Sequence, residues 1–269
     1  TPPAAALLAD SANIRTIISE DSYRARGLRG YWAVQRRLQQ EQYACVFYAL
    51  NLMVMSYAAR GVIAGIPRRV MHRYRYRAYE DSNRLGTDVF DRNPDHHDAE
   101  ANVDLVRAVA KRSVDAGPLA LTLAESSVAS AAEKLRALGW EEGRPSVAVF
   151  PGGSAWQWDK WWPRDRYQEL VANLIALDPG LRVLVHCGPA ESEEAAAWQL
   201  RFSDDVAIVQ GWGIQEVAAS LTLTDVTVCN DSLPVHLCSA LGRPCVTLFG
   251  PTDPERTGPW QNDRAKVIT

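Results

Sequence analysis

Three turns in the second half of the chain gather side chains suited to holding a phosphate-bearing ligand. The first, PGGSAWQWDKWWP (residues 151–163), follows the apolar run SVAVF. Gly152 and Gly153 allow close backbone approach to a ligand, Ser154 offers a hydroxyl and Lys160 a mobile positive charge. Trp156, Trp158, Trp161 and Trp162 stand beside it, placed either to pack the loop or to stack on a base or sugar. The second turn is CNDSLPVHLCSALG (229–242). Asp231 or Ser232 suits a helix N-cap, and Pro234 suits the first turn, where its missing N–H is not needed. A helix start presents unpaired N–H groups and a partial positive charge, so it favours an anion. His236 falls in that first turn, in reach of a phosphate oxygen, and Asp231 is able to accept from sugar or ribose hydroxyls. Local evidence leaves a plainly capped helix with a packed histidine equally open. The third turn is LFGPTDPERTGPW (248–260). Gly250, Pro251 and Pro254 stop a strand and leave Thr252 and Asp253 at its end, which turn formation alone would also explain.

These turns do joint chemistry only if the frame brings them together. From Ser146 onward, five short runs (146–150, 182–187, 206–210, 226–230 and 245–249) are rich in β-branched residues. Segments of helical spacing lie between them: Asp165 to Leu177, Ser192 to Phe202, Ile214 to Leu221 and Pro234 to Leu241. Strands alternating with helices predict a parallel, doubly wound α/β sheet. In open parallel sheets ligands bind beyond the carboxyl ends of the strands, and all three turns sit there. The combined expectation is a nucleotide conjugate. In the first half, strands are expected at 14–18, 45–50, 62–66 and 119–123, helices at 31–42, 51–60, 98–113 and 124–138, and a polar loop over 75–98. The punctuated stretch LGWEEGRPS (138–146) predicts a boundary between domains 1–143 and 144–269.

Composition narrows the classes. No apolar run approaches the roughly 18–20 residues that span a bilayer, and TPPAAALLAD is too short, and lacks the basic start, of a signal peptide. A cytoplasmic protein is expected. Five scattered cysteines (45, 187, 229, 238, 245) show no CxxC pair, so buried free thiols are expected rather than disulfides or a metal centre. Residues 1–143 carry 19 Lys/Arg against 17 Asp/Glu, and residues 144–269 carry 10 against 15, which suits two domains with different ligands. RGVIAGIPRRVMHRYRYR (60–77) holds six arginines and no acid. It reads as a solvated face or as a contact for an anionic acceptor, and the acidic second half argues against nucleic acid. His96 and His97, beside Asp95 and Asp98, read as a polar loop. Thr1 opens the chain without a methionine, and KVIT (266–269) reads as a strand being entered, so a piece of a longer protein is expected.

The three turns also resemble the ADP-heptose:lipopolysaccharide heptosyltransferases, glycosyltransferase family nine. That family shows a strand followed by PGxS and K-x-W-P, here PGGS (151–154) and KWWP (160–163). It shows NDSG before H-L and A-A-L-G, here NDSLPVHLCSALG, then FGPTDP and TGP, here at 249–254 and 257–259. The resemblance implies two facing Rossmann-like domains (the GT-B architecture), the first lacking its opening strand. It implies a metal-independent inverting transfer of a heptose from ADP-heptose, or another nucleotide sugar, with no cofactor. The acceptor would be an anionic saccharide or glycolipid of the lipopolysaccharide core, with peripheral contact at the cytoplasmic face of the inner membrane. Donor contacts carried over by position are Gly153, Ser154, Lys160, Asp231, Ser232, Leu233, His236, Thr252 and Asp253, with Lys160 stabilising the leaving diphosphate. Leu233 departs from the family's glycine and is expected to crowd or shift the donor. Arg68, Arg69 and Arg73 are the candidate acceptor contacts. The family's general base, an aspartate in a Gly-Asp turn, has no match here and is expected upstream of Thr1. The alternatives are a transferase of the same fold for another sugar or a soluble acceptor, and a non-catalytic nucleotide-sugar-binding relative.

Overall fold

A computed structural model describes residues 2–18, 27–49, 54–75, 80–141, 143–153, 155–188, 191–202 and 205–269. By internal contacts the chain divides into two units, Thr1–Ala5 with Thr16–Gly117, and Ala6–Arg15 with Pro118–Thr269.

In the first unit, strands β1 (Cys45–Tyr48), β2 (Arg68–His72) and β3 (Asp88–Phe90) form a parallel sheet in that order. After α1 (Pro2–Leu7), helices α2 (Gly27–Gln40) and α3 (Val54–Ile63) flank β1 in sequence, and α4 (Asp98–Ala110) follows β3. Tyr48, Ala58 and Met71 form the core, with Val46, Leu85 and Val89 packed on it. Two strand expectations fail here. Residues 62–66 instead complete α3 and a turn at Gly65, whose φ of +72° suits glycine. Residues 14–18 are irregular. The strand that follows α3, β2, opens on two arginines, so hydrophobic pattern alone hides it. Arg68 leans out to Asp88 at the start of β3, 2.8 Å away, while Val70, Met71 and His72 are buried.

In the second unit, β4 (Ser146–Phe150), β5 (Arg182–Cys187), β6 (Val206–Gln210), β7 (Val226–Asn230), β8 (Cys245–Leu248) and β9 (Ala265–Ile268) make one parallel sheet. Its order is β6-β5-β4-β7-β8-β9, the 3-2-1-4-5-6 order of a dinucleotide-binding fold. The central strands are near-continuous apolar runs because both faces are covered. Val147 and Val149 pack with Tyr167 and Val171 of α6 (Arg164–Leu177) and with Trp198 of α7 (Ser192–Phe202). Ala148, on the opposite face, packs with Ala218 and Leu221 of α8 (Ile214–Thr222) and Leu237 and Cys238 of α9 (Leu233–Leu241). Each large apolar side chain so buried contributes about 1.5–3 kcal/mol.

The expected boundary at 143/144 differs from the contact division at 117/118. Helix α5 (Glu125–Ala137) packs with the second unit: Lys134 and Ser130 both donate to Glu216 Oε1 at 2.6 Å. Residues 119–123, expected as a strand, are irregular, yet Leu121 and Leu123 pack on the Ala148 face. They are apolar because they cover a core, and they join no ladder. All five cysteines are free, four of them buried, as expected. Burial pushes the Cys187 thiol up to about 12, so it stays protonated and inert.

Candidate functional site

Between β4 and β7 the strand order reverses: the chain winds from β4 to one side through β5 and β6, then returns to build β7, β8 and β9 on the other. Such a switch leaves a crevice beyond the carboxyl ends of the two strands. The loops after β4, β7 and β8 are the three turns singled out from sequence, and here they meet.

Asn230, the last residue of β7, is fully buried and ties the crevice together. Its amide oxygen accepts from the Trp162 N–H (2.9 Å) and the Tyr167 hydroxyl (3.0 Å). Its amide nitrogen donates to the carbonyls of Pro151 (3.1 Å) and Gly152 (3.2 Å). Two acceptor sites and two donors exhaust what an asparagine offers, so the group is satisfied without water. Burial pushes the Tyr167 phenol up, which keeps the proton it donates. Sequence reading assigned Asn230 no role. The clue was a polar residue closing an otherwise apolar central strand, where burial demands a complete set of partners.

The next residue carries the charge. The Asp231 N–H donates to the Leu248 carbonyl at 3.0 Å, which holds the β7 loop against the end of β8. Asp231 Oδ2 accepts from Lys160 Nζ at 2.7 Å and from Thr252 Oγ1 at 2.6 Å. Three loops therefore converge on one carboxylate oxygen. The side chains of Lys160 and Asp231 are 16% and 4% exposed, so this is a desolvated pair. The arrangement differs from the expectation of an Asp231 that meets a ligand hydroxyl directly. Its Oδ2 is spent on positioning the cation, whose remaining ammonium protons are those available to an anion.

At the start of α9, Ser232 occupies the N-cap position with extended backbone. Its hydroxyl turns back to the Asn230 carbonyl (3.3 Å) and caps nothing. In the first turn the Val235 N–H donates to the Ser232 carbonyl at 3.1 Å, and Pro234 has no N–H to offer. His236 is half-buried in that turn. Leu233 opens the helix with its side chain 46% exposed. Among the described residues, the non-glycine ones with positive φ are Gln42, Lys111 and Gln261. Leu233 is thus unstrained, and any effect it has comes from the bulk it adds at the mouth.

Other expected contacts fare differently. Ser154 lies outside the described residues, as do Tyr76 and Arg77 of the basic segment. Asp253 is spent as the N-cap of α10 (Pro254–Thr257), accepting from the Glu255 N–H at 3.0 Å. A Cβ on Gly152 would come within 2.7 Å of Glu191 Oε1, and one on Gly153 within 2.9 Å of Trp161 Nε1. Both glycines therefore have packing reasons as well as the ligand approach expected of them. Glu191, whose Oε2 accepts from the Gly188 N–H at 2.6 Å, brings a carboxylate against the first turn that sequence reading did not assign. Its position just past β5, the neighbour of β4, was the available signal. Trp162 packs edge-to-face on Tyr167 with centroids 5.0 Å apart, whereas Trp158 is 72% exposed.

In the first unit the candidate acceptor arginines all have internal partners. Arg68 pairs with Asp88 and holds that carboxyl below its ordinary range. Arg69 donates to the carbonyls of Leu85 (2.7 Å) and Ile66 (2.6 Å). Arg73 Nε lies 3.2 Å from Asp91 Oδ1, an oxygen it shares with Arg75. His97, read from sequence as part of a polar loop, caps α4 by accepting from the Ala99 N–H at 3.0 Å. His96 Nδ1 lies 2.6 Å from Asp104 Oδ2, close to Glu100. Both carboxylates already bond Arg107.

The family profile "Glycosyltransferase family 9 (heptosyltransferase)" matches residues 31–269. Lipopolysaccharide heptosyltransferase 1 of Salmonella typhimurium is 38% identical over 101 residues, 37% of this chain and 31% of that protein. Lipopolysaccharide heptosyltransferase 2 of Escherichia coli is 32% identical over 140 residues, 46% of this chain and 36% of that protein. The match thus spans about a third of the length of each of these relatives. Among solved structures, a glycosyl transferase family 9 protein from Veillonella parvula superposes with a TM-score of 0.79 at 18% identity, covering 99% of this chain and 74% of its own. E. coli heptosyltransferase WaaC with ADP superposes at 0.71 and 22% identity, covering 99% and 81%. The α/β class of parallel sheets expected for a GT-B protein is the one these structures share with the chain.

Proposed function

The chain belongs to glycosyltransferase family 9 (heptosyltransferase), and from that premise we propose that it moves a heptose from ADP-heptose to a saccharide of the lipopolysaccharide core, with inversion at the anomeric carbon. The observation that carries the reading is the Lys160–Asp231–Thr252 cluster at the switch point of the second unit. As the glycosidic bond breaks, negative charge builds on the leaving nucleoside diphosphate. A cation held in place beforehand and the start of α9 stabilise that charge without having to reorganise. His236 adds a donor from the first turn, and Ser154, Ser232, Thr252 and the Gly152–Gly153 backbone frame the diphosphate. Asp231 positions Lys160. The acceptor's general base is proposed to come from sequence upstream of Thr1, and Arg68, Arg69 and Arg73 are the proposed contacts for an anionic acceptor. A cytoplasmic site of action follows from where a nucleotide sugar is available.

Calorimetric titration with ADP, UDP and GDP, followed by transfer of ADP-heptose to heptose-deficient lipopolysaccharide core, tests this. ADP should bind in preference to the other two, and the product should carry a heptose of inverted configuration. Failure to bind either ADP or ADP-heptose would sink the donor assignment. Leu233 favours a second reading, because it narrows the mouth where the family pattern has glycine. Binding of ADP with turnover of a different ADP-sugar, or with none, would select that reading.

A further inference from the structure

The second unit carries a cavity at the other end of its sheet from the crevice. Ser146 and Val147 at the start of β4, and Asp225 and Val226 at the start of β7, form its floor. The crevice lies beyond the carboxyl ends of the same two strands. Five residues of β4 separate the two sites, roughly 15 Å of extended chain. The cavity's volume of about 950 Å³ falls within the about 300–1,000 Å³ of small-molecule sites. Helix α5 supplies one wall. Just past its end, Gly139 at a φ of +75° turns the chain so that the Trp140 N–H donates back to the Leu135 carbonyl at 3.0 Å. That closure packs Trp140 on the core of Leu135, Leu184 and Val209. With Leu181 and Leu223 it gives the cavity an apolar lining.

The charge left unspent in this lining is positive. Asp225 Oδ2 accepts from both the backbone N–H and the hydroxyl of Ser146, each at 2.9 Å. Glu141 Oε2 accepts from Arg144 Nη1 at 3.1 Å. The two described acids of the lining are thus committed, whereas Arg136 and Arg243 pair with no carboxylate among the described residues. Arg243 Nη2 donates to the Thr224 carbonyl at 2.5 Å, which fixes the guanidinium at the cavity wall. Its Nε is buried with no acceptor. Buried donors are paired in nearly all native structures, so a guanidinium N–H in this state marks a place where an acceptor belongs. Water alone would satisfy the N–H but leave the charge uncompensated and Trp140, Leu181 and Leu223 wet. An oxyanion carried on an apolar body meets both demands.

We propose that this cavity is a binding site, separate from the crevice, for a small amphipathic oxyanion. Its carboxylate or phosphate is held by Arg243 and Arg136, and its aromatic or short aliphatic body lies against Trp140. The proposal does not depend on the donor-site reading, since none of its residues belongs to the crevice. Fluorine NMR of 4-fluorobenzoate and of 4-fluorophenyl phosphate with the whole chain tests it, with 4-fluorobenzyl alcohol as the neutral control. At least one of the two anions should bind with a dissociation constant below about 1 mM, and the tighter of them tells carboxylate from phosphate. The alcohol should bind at least about tenfold more weakly. Saturating ADP should leave the bound probe in place. Arg243→Met should weaken binding about tenfold. Arg136→Gln, at an exposed arginine whose replacement leaves the fold intact, should weaken it about threefold and decides the matter if the first variant unfolds. Arg166→Gln, at a surface arginine paired with Glu169, should bind as wild type. No binding of either anion, equal binding of the alcohol, displacement by ADP, or undiminished binding by Arg136→Gln would overturn the proposal.

Discussion

Replacing Lys160 by methionine keeps most of the side chain's length and removes its charge. The Asp231 carboxylate, 4% exposed, would then keep only the Thr252 hydroxyl on Oδ2. Removing one partner of a buried pair costs about 3–5 kcal/mol, because the surviving charge stays desolvated. Lys160 is 16% exposed, so water reaches part of the vacated space and the low end, about 3 kcal/mol, is expected. For a unit of this size that lowers the melting temperature by roughly 6–12 °C. Thermal melts of Lys160→Met at pH 7 measure this, and Lys160→Met/Asp231→Leu closes a double-mutant cycle. The double variant should recover about 2 kcal/mol relative to the single one. A Lys160→Met protein that melts within about 1 °C of the parent at pH 7 would refute the claim that the pair is desolvated. A double variant no more stable than the single one would do the same.

Three further outcomes follow from the second unit. His186 is buried against Phe150, with ring centroids 4.1 Å apart and Nδ1 unpartnered, and burial lowers its pKa to about 3. Its unfolded state binds the extra proton, so stability should be full above about pH 6.5 and fall by up to about 1.4 kcal/mol per pH unit below it. Acid titration of His186→Leu should show that slope removed. Glu216 is held at about 2, chiefly by Lys134 and then by Ser130. Its contribution should be present above about pH 4.5 and lost as pH falls toward 2. In urea titrations at pH 7, Glu216→Gln should lose about 1 kcal/mol, since Lys134 is half-exposed and solvent-screened. Leu233→Gly should leave the melting temperature within a few degrees and tighten ADP binding several-fold by calorimetry. Unchanged or weaker binding would remove Leu233 from the crevice mouth.

The second unit was readable from the sequence because its strands are buried on both faces and its helices carry regular apolar spacing. From Ser146 onward every expected strand and helix is found, with ends shifted by a residue or so. The first unit resisted for an equally physical reason. Its strands are short and carry their own ion pairs, so β2 reads as a basic loop and β3 as part of an acidic one. The site was legible as three turns but not as a network. No local rule says that Asp231 will spend its oxygen on Lys160 and Thr252, which lie 71 and 21 residues away in sequence. Asn230 was passed over because its role is to satisfy backbone groups of another strand's loop. Ser232 sits at the N-cap without capping, its hydroxyl donating instead to the Asn230 carbonyl.

The strand order also sets when the crevice comes into being. β4 is made first and lies at the centre, and β5 and β6 zip onto one of its edges as the chain lengthens. Its other edge waits for β7, whose register pairs Val147 with Val226, while Asp225 bonds back to Ser146 across 79 residues. Closing a loop of that length adds only slowly to the entropic cost, yet pairings so far apart in sequence are late and slow. Until β7 docks, the Pro151 and Gly152 carbonyls lack the amide that fixes them, and Lys160 has no counter-charge. During synthesis on a ribosome the nascent unit would therefore carry an open apolar strand edge while its last third is still being made. The proposed nucleotide binding would be among the last properties acquired, which makes it a sensitive readout of complete folding.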